Sequence, residues 1–230
     1  MSKMPAQSVG LIVTSPQYNL RNSTGNGMKN GSGGKWASAQ LLKGYDTNDD
    51  NMPREDYVRQ QRNCLSPMMR VLRSDGAIFY VHKERVQAGL IQDPADILKD
   101  FPLRQRIIWQ RAGHLNFNRG YFLPTYEVIY LICNRPFKLA PKANAQGAVW
   151  KIIQERNNPH PAPFPVELAR RCIASTTAQI VLDPFLGSGT TAIAAELRGR
   201  KWIGCEISKD YCEMARARIE AHRRLMRGQT

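Results

Sequence analysis

The sequence has little from which to build covalent cross-links or a membrane anchor. Its five cysteines, Cys64, Cys133, Cys172, Cys205 and Cys212, are odd in number, scattered, and never in a C-x-x-C pair. That excludes a disulfide miniprotein and offers neither a zinc site nor a dithiol redox motif. No apolar run approaches the ~18 residues of a bilayer-spanning helix, and nothing at the amino terminus reads as a signal peptide. The expectation is a soluble, cytoplasmic chain with reduced thiols and no membrane partner. Acidic residues are also scarce: 19 Asp and Glu stand against 33 Lys and Arg, a formal net charge of +14. Such an excess suits a polyanionic partner, most simply nucleic acid. A hydrophobic fraction of 42% supports an ordinary core and excludes a wholly disordered basic tail. At about 150 residues per domain, 230 residues make one domain with an insertion rather than two.

Val9–Thr14 is a short β-branched run ending at Ser15-Pro16, and reads as a buried strand that opens into a loop. Residues 22–52 begin rich in Gly, Asn and Ser and stay polar, which predicts a flexible loop. Pro53-Arg54-Glu55-Asp56 opens an amphipathic helix that Ser74-Asp75-Gly76 should stop, with Ala77–His82 a second buried strand. Arg104–Arg111 and Glu127–Cys133 read as strands, and Arg135–Asn158 as irregular. Helices at Pro165–Ala174, Thr190–Arg198 and Lys209–Arg227 then alternate with strands at Gln179–Leu182 and Lys201–Glu206. This alternation predicts an α/β fold with a doubly wound, mostly parallel sheet.

Two strand ends carry the chemistry. Val181 to Ala192 reads as a strand, a glycine turn and a helix start, in which Gly187 and Gly189 admit a ligand close to the backbone. The next strand ends in Glu206, a carboxylate suited to both hydroxyls of a ribose. Alone, these residues fit G-x-G-x-x-A and describe a nicotinamide site equally well. A phosphate-cradling P-loop does not fit, because no Gly-Lys-Ser/Thr follows the turn. The second strand end is Ser15-Pro16-Gln17-Tyr18, where an aromatic ring can stack on a flat, amine-bearing ring. The Ser15 hydroxyl and the Pro16 carbonyl can accept the two amine hydrogens.

Asp183-Pro184-Phe185-x-Gly187-Ser188-Gly189-Thr190-Thr191, with Ser15-Pro16-x-Tyr18 upstream, resembles the motif pair of S-adenosyl-L-methionine-dependent DNA amino-methyltransferases. Members of that family methylate N6 of adenine or N4 of cytosine. The resemblance covers nearly the whole chain, including Met69–Tyr80, Ile107–Trp109, Tyr126–Ile129 and His160–Pro165. It implies a seven-stranded methyltransferase sheet in circularly permuted order, catalytic motif first and cofactor motif last. It further implies a single domain over residues 1–230, with a catalytic half over about 1–134, a short target-recognition segment over about 135–158 and a cofactor half over about 159–230. The same resemblance assigns catalysis to Ser15, Pro16, Gln17 and Tyr18. It assigns cofactor contacts to Pro163, Phe164, Asp183, Phe185, Gly187, Ser188, Gly189, Thr190 and Glu206. The implied partner is DNA with the target base rotated out of the helix, in a prokaryotic or phage setting that allows a cognate restriction nuclease and a homodimer. No Pro-Cys dipeptide occurs, which argues against methylation at ring carbon 5. Arg104, Arg106, Arg111, Arg119, Lys138, Lys142 and Lys151 are candidates for phosphate contacts.

Some features depart from the family pattern. Gln17 stands where a second proline is usual; a proline restricts the residue before it, so Gln17 is expected to loosen the Pro16 carbonyl, and its amide to compete for the pocket. Met1 falls just before the first strand, so an upstream acidic cofactor contact is expected to be missing. Ser15 rather than Asp tilts the reading toward cytosine N4. Residues 22–52 are expected to close over DNA as a mobile lid. The rival readings are a DNA-binding relative weakened at Gln17, a nicotinamide oxidoreductase that leaves Ser15–Tyr18 without a role, and an RNA-directed relative. A zinc deaminase is hinted at by His82-Lys83-Glu84 but lacks its Pro-Cys-x-x-Cys; His114, His160 and His222 show no ligand spacing.

Overall fold

A computed structural model describes residues 1–19, 52–87, 90–111, 119–155 and 164–228. The expected lid, apart from Met52, lies outside the described residues, as do Pro163, His114 and His160. Along the chain come β1 (Val9–Thr14), α1 (Arg54–Val71), β2 (Leu72–His82), β3 (Arg85–Gln87), β4 (Leu90–Gln92), α2 (Ala95–Leu98), β5 (Leu103–Gln110) and β6 (Tyr126–Cys133). Then follow β7 (Val149–Lys151), α3 (Val166–Ala174), β8 (Ile180–Asp183), α4 (Thr190–Leu197), β9 (Lys201–Gly204) and α5 (Lys209–Gly228). Seven strands form one sheet in the order β7-β5-β6-β2-β1-β8-β9. Within this sheet only β6 runs antiparallel to both its neighbours, among the described residues; β3 and β4 form a separate antiparallel pair.

β1 is central and buried almost throughout, as its unbroken apolar run demands. Side chains alternate between the two faces. Leu11 and Val13 join Phe79, Val81 and the α3 residues Leu168 and Cys172 on one face. Ile12 joins Ile78, Tyr80 and the α1 residues Leu65 and Met68 on the other. α1 forms because Glu55 and Asp56 complement its positive end and Arg70 its negative end. Its buried residues Tyr57, Gln61, Leu65, Met68 and Val71 recur at three- and four-residue steps, which lays one stripe along the sheet.

Some expected boundaries shift. The turn signal Ser74-Asp75-Gly76 does not separate helix from strand; β2 already begins at Leu72. Val9 pairs with Leu72 and Leu11 with Ala77, so the intervening residues bulge out of the parallel ladder between two paired positions. The segment Arg135–Asn158 is not wholly irregular. It contains β7, which pairs with β5, and it buries Phe137, Trp150 and Ile152 in the core. The hairpin β3–β4 and the short α2 were not expected from pattern, because three- and four-residue elements hold too few residues for a period to show.

One buried carboxylate joins three elements. Asp183, at the end of β8, is 1% exposed. Its Oδ1 accepts from Thr14 Oγ1 of β1 at 2.7 Å and from the Phe185 N–H at 3.0 Å. Its Oδ2 accepts from Thr191 Oγ1 of α4 at 2.6 Å. Burial pushes the carboxyl up to about 6, against the three hydrogen bonds that favour its charged form.

Two consequences are measurable. A Cβ on Gly76 would lie 2.8 Å from both the Gly10 carbonyl oxygen and Leu72 Cδ1, whereas one on Gly147 meets nothing within 4 Å. Gly76→Ala should therefore lower unfolding free energy by about 1–3 kcal/mol in urea titration, with Gly147→Ala as an unaffected control. The raised Asp183 value means that the folded state holds a proton the unfolded chain has released, so the group stabilises below about pH 4 and that contribution disappears as pH rises through about 6. Wild type should accordingly lose stability relative to Asp183→Asn between pH 4 and pH 6.5, by on the order of 3 kcal/mol, with parallel curves above. A pH-independent gap would contradict this.

Candidate active site

β1 and β8 are neighbouring parallel strands, with Leu11 opposite Val181 and Ile12 opposite Leu182. Their carboxyl ends therefore lie side by side, and the loops that leave them open on one edge of the sheet. The Thr14–Asp183 bond ties the two ends directly. A cavity of about 390 Å³ lies where the loops meet, lined by Gln17 from the first and Pro184 and Phe185 from the second, with Gln60, Cys205, Glu206 and Ile207. Sites at the carboxyl ends of sheet strands are the rule for this architecture.

The glycine loop is shaped from inside. Gly187 and Gly189 have φ of 51° and 82°, a region that favours glycine. A Cβ at Gly189 would also press on Ile219 and Ala215 of α5 at 3.2–3.3 Å. Glu206 gathers three backbone donors: Gly187 N–H at 2.8 Å on Oε2, and Ile207 and Ser208 N–H at 2.9 Å on Oε1. A carboxylate oxygen accepts in about two directions, so Oε2 retains one for a ligand hydroxyl.

Other residues expected at the cofactor are placed differently. Ser188 and Thr190 are 3% and 4% exposed and face Arg218 of α5. Arg218 Nη1 donates to Ser188 Oγ at 3.0 Å, to the Ser188 carbonyl at 3.2 Å and to Thr190 Oγ1 at 2.9 Å, while Nη2 pairs with Glu155. The two hydroxyls thus anchor the loop to α5. Asp183 has both oxygens engaged by chain donors and acts as the joint between strands. Phe164 packs into the hydrophobic core with Leu168 and Trp150.

The first loop is held by a second set of partners. Tyr18 is 6% exposed, and its hydroxyl donates to Glu127 Oε2 at 3.1 Å. Its one hydrogen is thereby committed, so in the 2.9 Å contact between Ser15 Oγ and Tyr18 Oη the serine is the donor. In that arrangement the Ser15 hydrogen points to Tyr18 and its lone pairs point elsewhere. Glu127 Oε1 in turn pairs with Arg111 at 3.0 Å, with both side chains almost wholly buried. Burial lowers the Lys83 ammonium, and the charge of Glu127 opposes that shift. The His82 ring lies 5.0 Å from the Tyr18 ring, and burial lowers its imidazole to about 4, so it is neutral near pH 7.

Several basic residues expected at phosphates point elsewhere. Arg111 is the buried partner of Glu127. Lys138 lines a separate cavity with Ser8, Gly10 and Ile180, at the opposite edge of the sheet. Arg104, at the start of β5 on that same edge, donates to the Asn134 carbonyl. Lys151 ends β7 on the active edge and is exposed. Glu127, Arg111, His82, Tyr57 and Arg218 were not expected at the site. A lone acid heading the apolar run Val128–Cys133 was a legible signal for Glu127, since a buried charge requires a partner. Arg218 left no such signal, because it sits in an arginine-rich helix.

Residues 9–217 match the DNA methylase family of the N6/N4 methyltransferase type. The type II methyltransferase M.ScaI of Streptomyces caespitosus is 47% identical over 245 residues, 96% of this chain and 78% of the relative. The type II methyltransferase M.BglII of Bacillus subtilis is 29% identical, and the match covers 92% of this chain but only 64% of the relative. Among solved structures, the cytosine-N4-specific PvuII DNA methyltransferase superposes with a TM-score of 0.71 at 18% identity, over 93% of this chain and 80% of that one. M1.HpyAVI in complex with SAM gives 0.59 at 20% identity, over 92% and 89%. With the family pattern running from β1 into α5 and both strand-end motifs on one edge of the sheet, the chain belongs to the N6/N4 DNA methylases.

Proposed function

We propose that this chain transfers the methyl group of S-adenosyl-L-methionine to the exocyclic amine of a base in DNA, cytosine N4 or adenine N6. The observation that carries the reading is the shared cavity: Gln17 of the first loop and Phe185 and Glu206 beside the glycine loop line one space of about 390 Å³. The residues present fit the cofactor. Glu206 Oε2 retains an acceptor direction for a ribose hydroxyl, and Phe185 offers an apolar wall. Gly187 and Gly189 leave the loop backbone open to close approach. When bound, S-adenosyl-L-methionine supplies a sulfonium-activated methyl group.

The chain's own residues supply the rest. Ser15 Oγ, with its hydrogen directed to Tyr18, and the Pro16 carbonyl accept the two amine hydrogens. Both acceptors draw the nitrogen lone pair out of conjugation and stabilise the positive charge that grows on it during attack. Tyr18, its hydroxyl fixed by Glu127, is the ring on which the base would stack after leaving the duplex to reach the loop. With cofactor and base bound, the loop and cavity would hold the amine against the methyl group, and such positioning supplies much of the remaining acceleration. Ser15 at the motif head favours cytosine N4 over adenine N6.

Incubation with labelled S-adenosyl-L-methionine and mixed-sequence DNA, followed by nucleoside digestion, should yield labelled N4-methylcytosine. Labelled N6-methyladenine would reassign the base, and no label would point to a DNA-binding relative. Ser15→Ala and Tyr18→Ala should each lower the transfer rate by about a hundredfold or more with cofactor affinity within about twofold. Glu206→Ala should instead weaken cofactor binding, read by calorimetry without DNA. The reverse pattern would overturn the assigned roles.

A further inference from the structure

The loop from Ser15 to Tyr18 lacks a proline at position 17, yet its backbone is not left loose. The Gln17 carbonyl accepts from Tyr57 Oη at 3.0 Å and from Gln61 Nε2 at 3.4 Å, both on α1. Gln61 is 2% exposed, and its Oε1 accepts from Tyr80 Oη of β2 at 2.5 Å, which orients its amide. Tyr57 Oη lies 2.7 Å from His82 Nε2. Lys83 presents its N–H to His82 Nδ1 at 2.8 Å and its carbonyl at 3.1 Å. We assign the tautomer from the shorter contact and from the Tyr57 hydroxyl's bond to Gln17: the Lys83 N–H donates, Nδ1 accepts and Nε2 carries the hydrogen. Nε2–H then donates to Tyr57 Oη, which frees the tyrosine hydrogen for Gln17. The direction of the whole chain follows: Lys83 N–H to His82, His82 to Tyr57, Tyr57 to the loop carbonyl. The His82 ring is itself set among three tyrosines, with centroids 5.0, 6.0 and 5.8 Å from Tyr18, Tyr57 and Tyr80.

We propose that His82 and Tyr57 are positioning residues for the catalytic loop, holding the Gln17 carbonyl so that the preceding Pro16 carbonyl stays aimed at the substrate amine. The inference rests on the methyl-transfer reading above and extends it to residues outside the loop. The ring of Pro16 fixes its own φ, and Thr14 is tied to Asp183. The soft torsions next to the Pro16 carbonyl are those on either side of the planar Pro16–Gln17 peptide. A clamp on the Gln17 carbonyl restrains it from the far side. A proline at 17 would restrain it from the near side, because it confines the residue before it, and would keep the carbonyl that Tyr57 and Gln61 engage.

That equivalence gives the test. In the cofactor-free chain, amide exchange of a peptide spanning residues 14–19 should be about tenfold faster in Tyr57→Phe, the equivalent of one lost buried hydrogen bond. The double variant Tyr57→Phe, Gln17→Pro should recover most of that protection. With labelled cofactor and DNA, Tyr57→Phe should lower kcat about tenfold at unchanged KM for S-adenosyl-L-methionine, and the double variant should restore it. A merely structural role for Tyr57 would not be rescued by a proline in another element. Imidazole nitrogen shifts of the wild-type chain should show Nδ1 bare and Nε2 protonated. The opposite tautomer, unchanged exchange in Tyr57→Phe, or failure of Gln17→Pro to rescue would each overturn the proposal. Wild-type chain that shows the exchange pattern but transfers no methyl group would sink the methyl-transfer reading and leave the clamp standing.

Discussion

The buried carboxylate of Asp183 is the constraint on which the site depends. It sits where β1, β8 and α4 converge, and it accepts from Thr14, Thr191 and the Phe185 N–H. Hydrogen bonds to a charged group stabilise by about 1.5–3 kcal/mol each, and a buried carboxylate without them would be strongly destabilising. The two strand ends therefore cannot separate without leaving that carboxylate unpaired. The residue that the family resemblance assigns to cofactor binding also fixes the spacing between the two loops.

Around that joint, each loop has its own scaffold drawn from distant parts of the chain. The first loop is held by Glu127 of β6, by Tyr57 and Gln61 of α1, and through Tyr57 by His82 of β2. Asn19, at its end, exchanges two hydrogen bonds with the backbone of Met52 at 2.7 and 2.8 Å. The glycine loop is held by Glu206 after β9 and Arg218 of α5. Groups placed in advance by the fold need no reordering as charge develops, which is how a small polar site achieves large rate effects.

Most of the architecture was legible because it rests on local pattern. β1, β6, α3, α4 and α5 carry strong periodicity or unbroken apolar runs, and their observed bounds lie within a residue or two of expectation. β7 escaped because Val149-Trp150-Lys151 is three residues long and is a strand only by pairing with β5. The bulge at Arg73–Gly76 escaped because its turn-forming residues are real turn residues, set within a ladder that resumes on the far side. The expectation that Gln17 would loosen the loop was drawn from the local effect of a missing proline. It could not include the Tyr57 and Gln61 donors, which come from 40 and 44 residues away in sequence.

The sequence by itself determined the sheet-and-helix order and the two chemical motifs, because residue type and spacing act over short stretches of chain. Only the tertiary structure decided which motif residues face the cavity and which face inward. Ser188, Thr190 and Asp183 read as ligand contacts, yet their polar atoms meet Arg218, Thr14 and Thr191. A hydroxyl or carboxylate bonds equally well to a ligand or to the chain. Which of the two it meets is set by strand register and helix packing, and these are long-range properties.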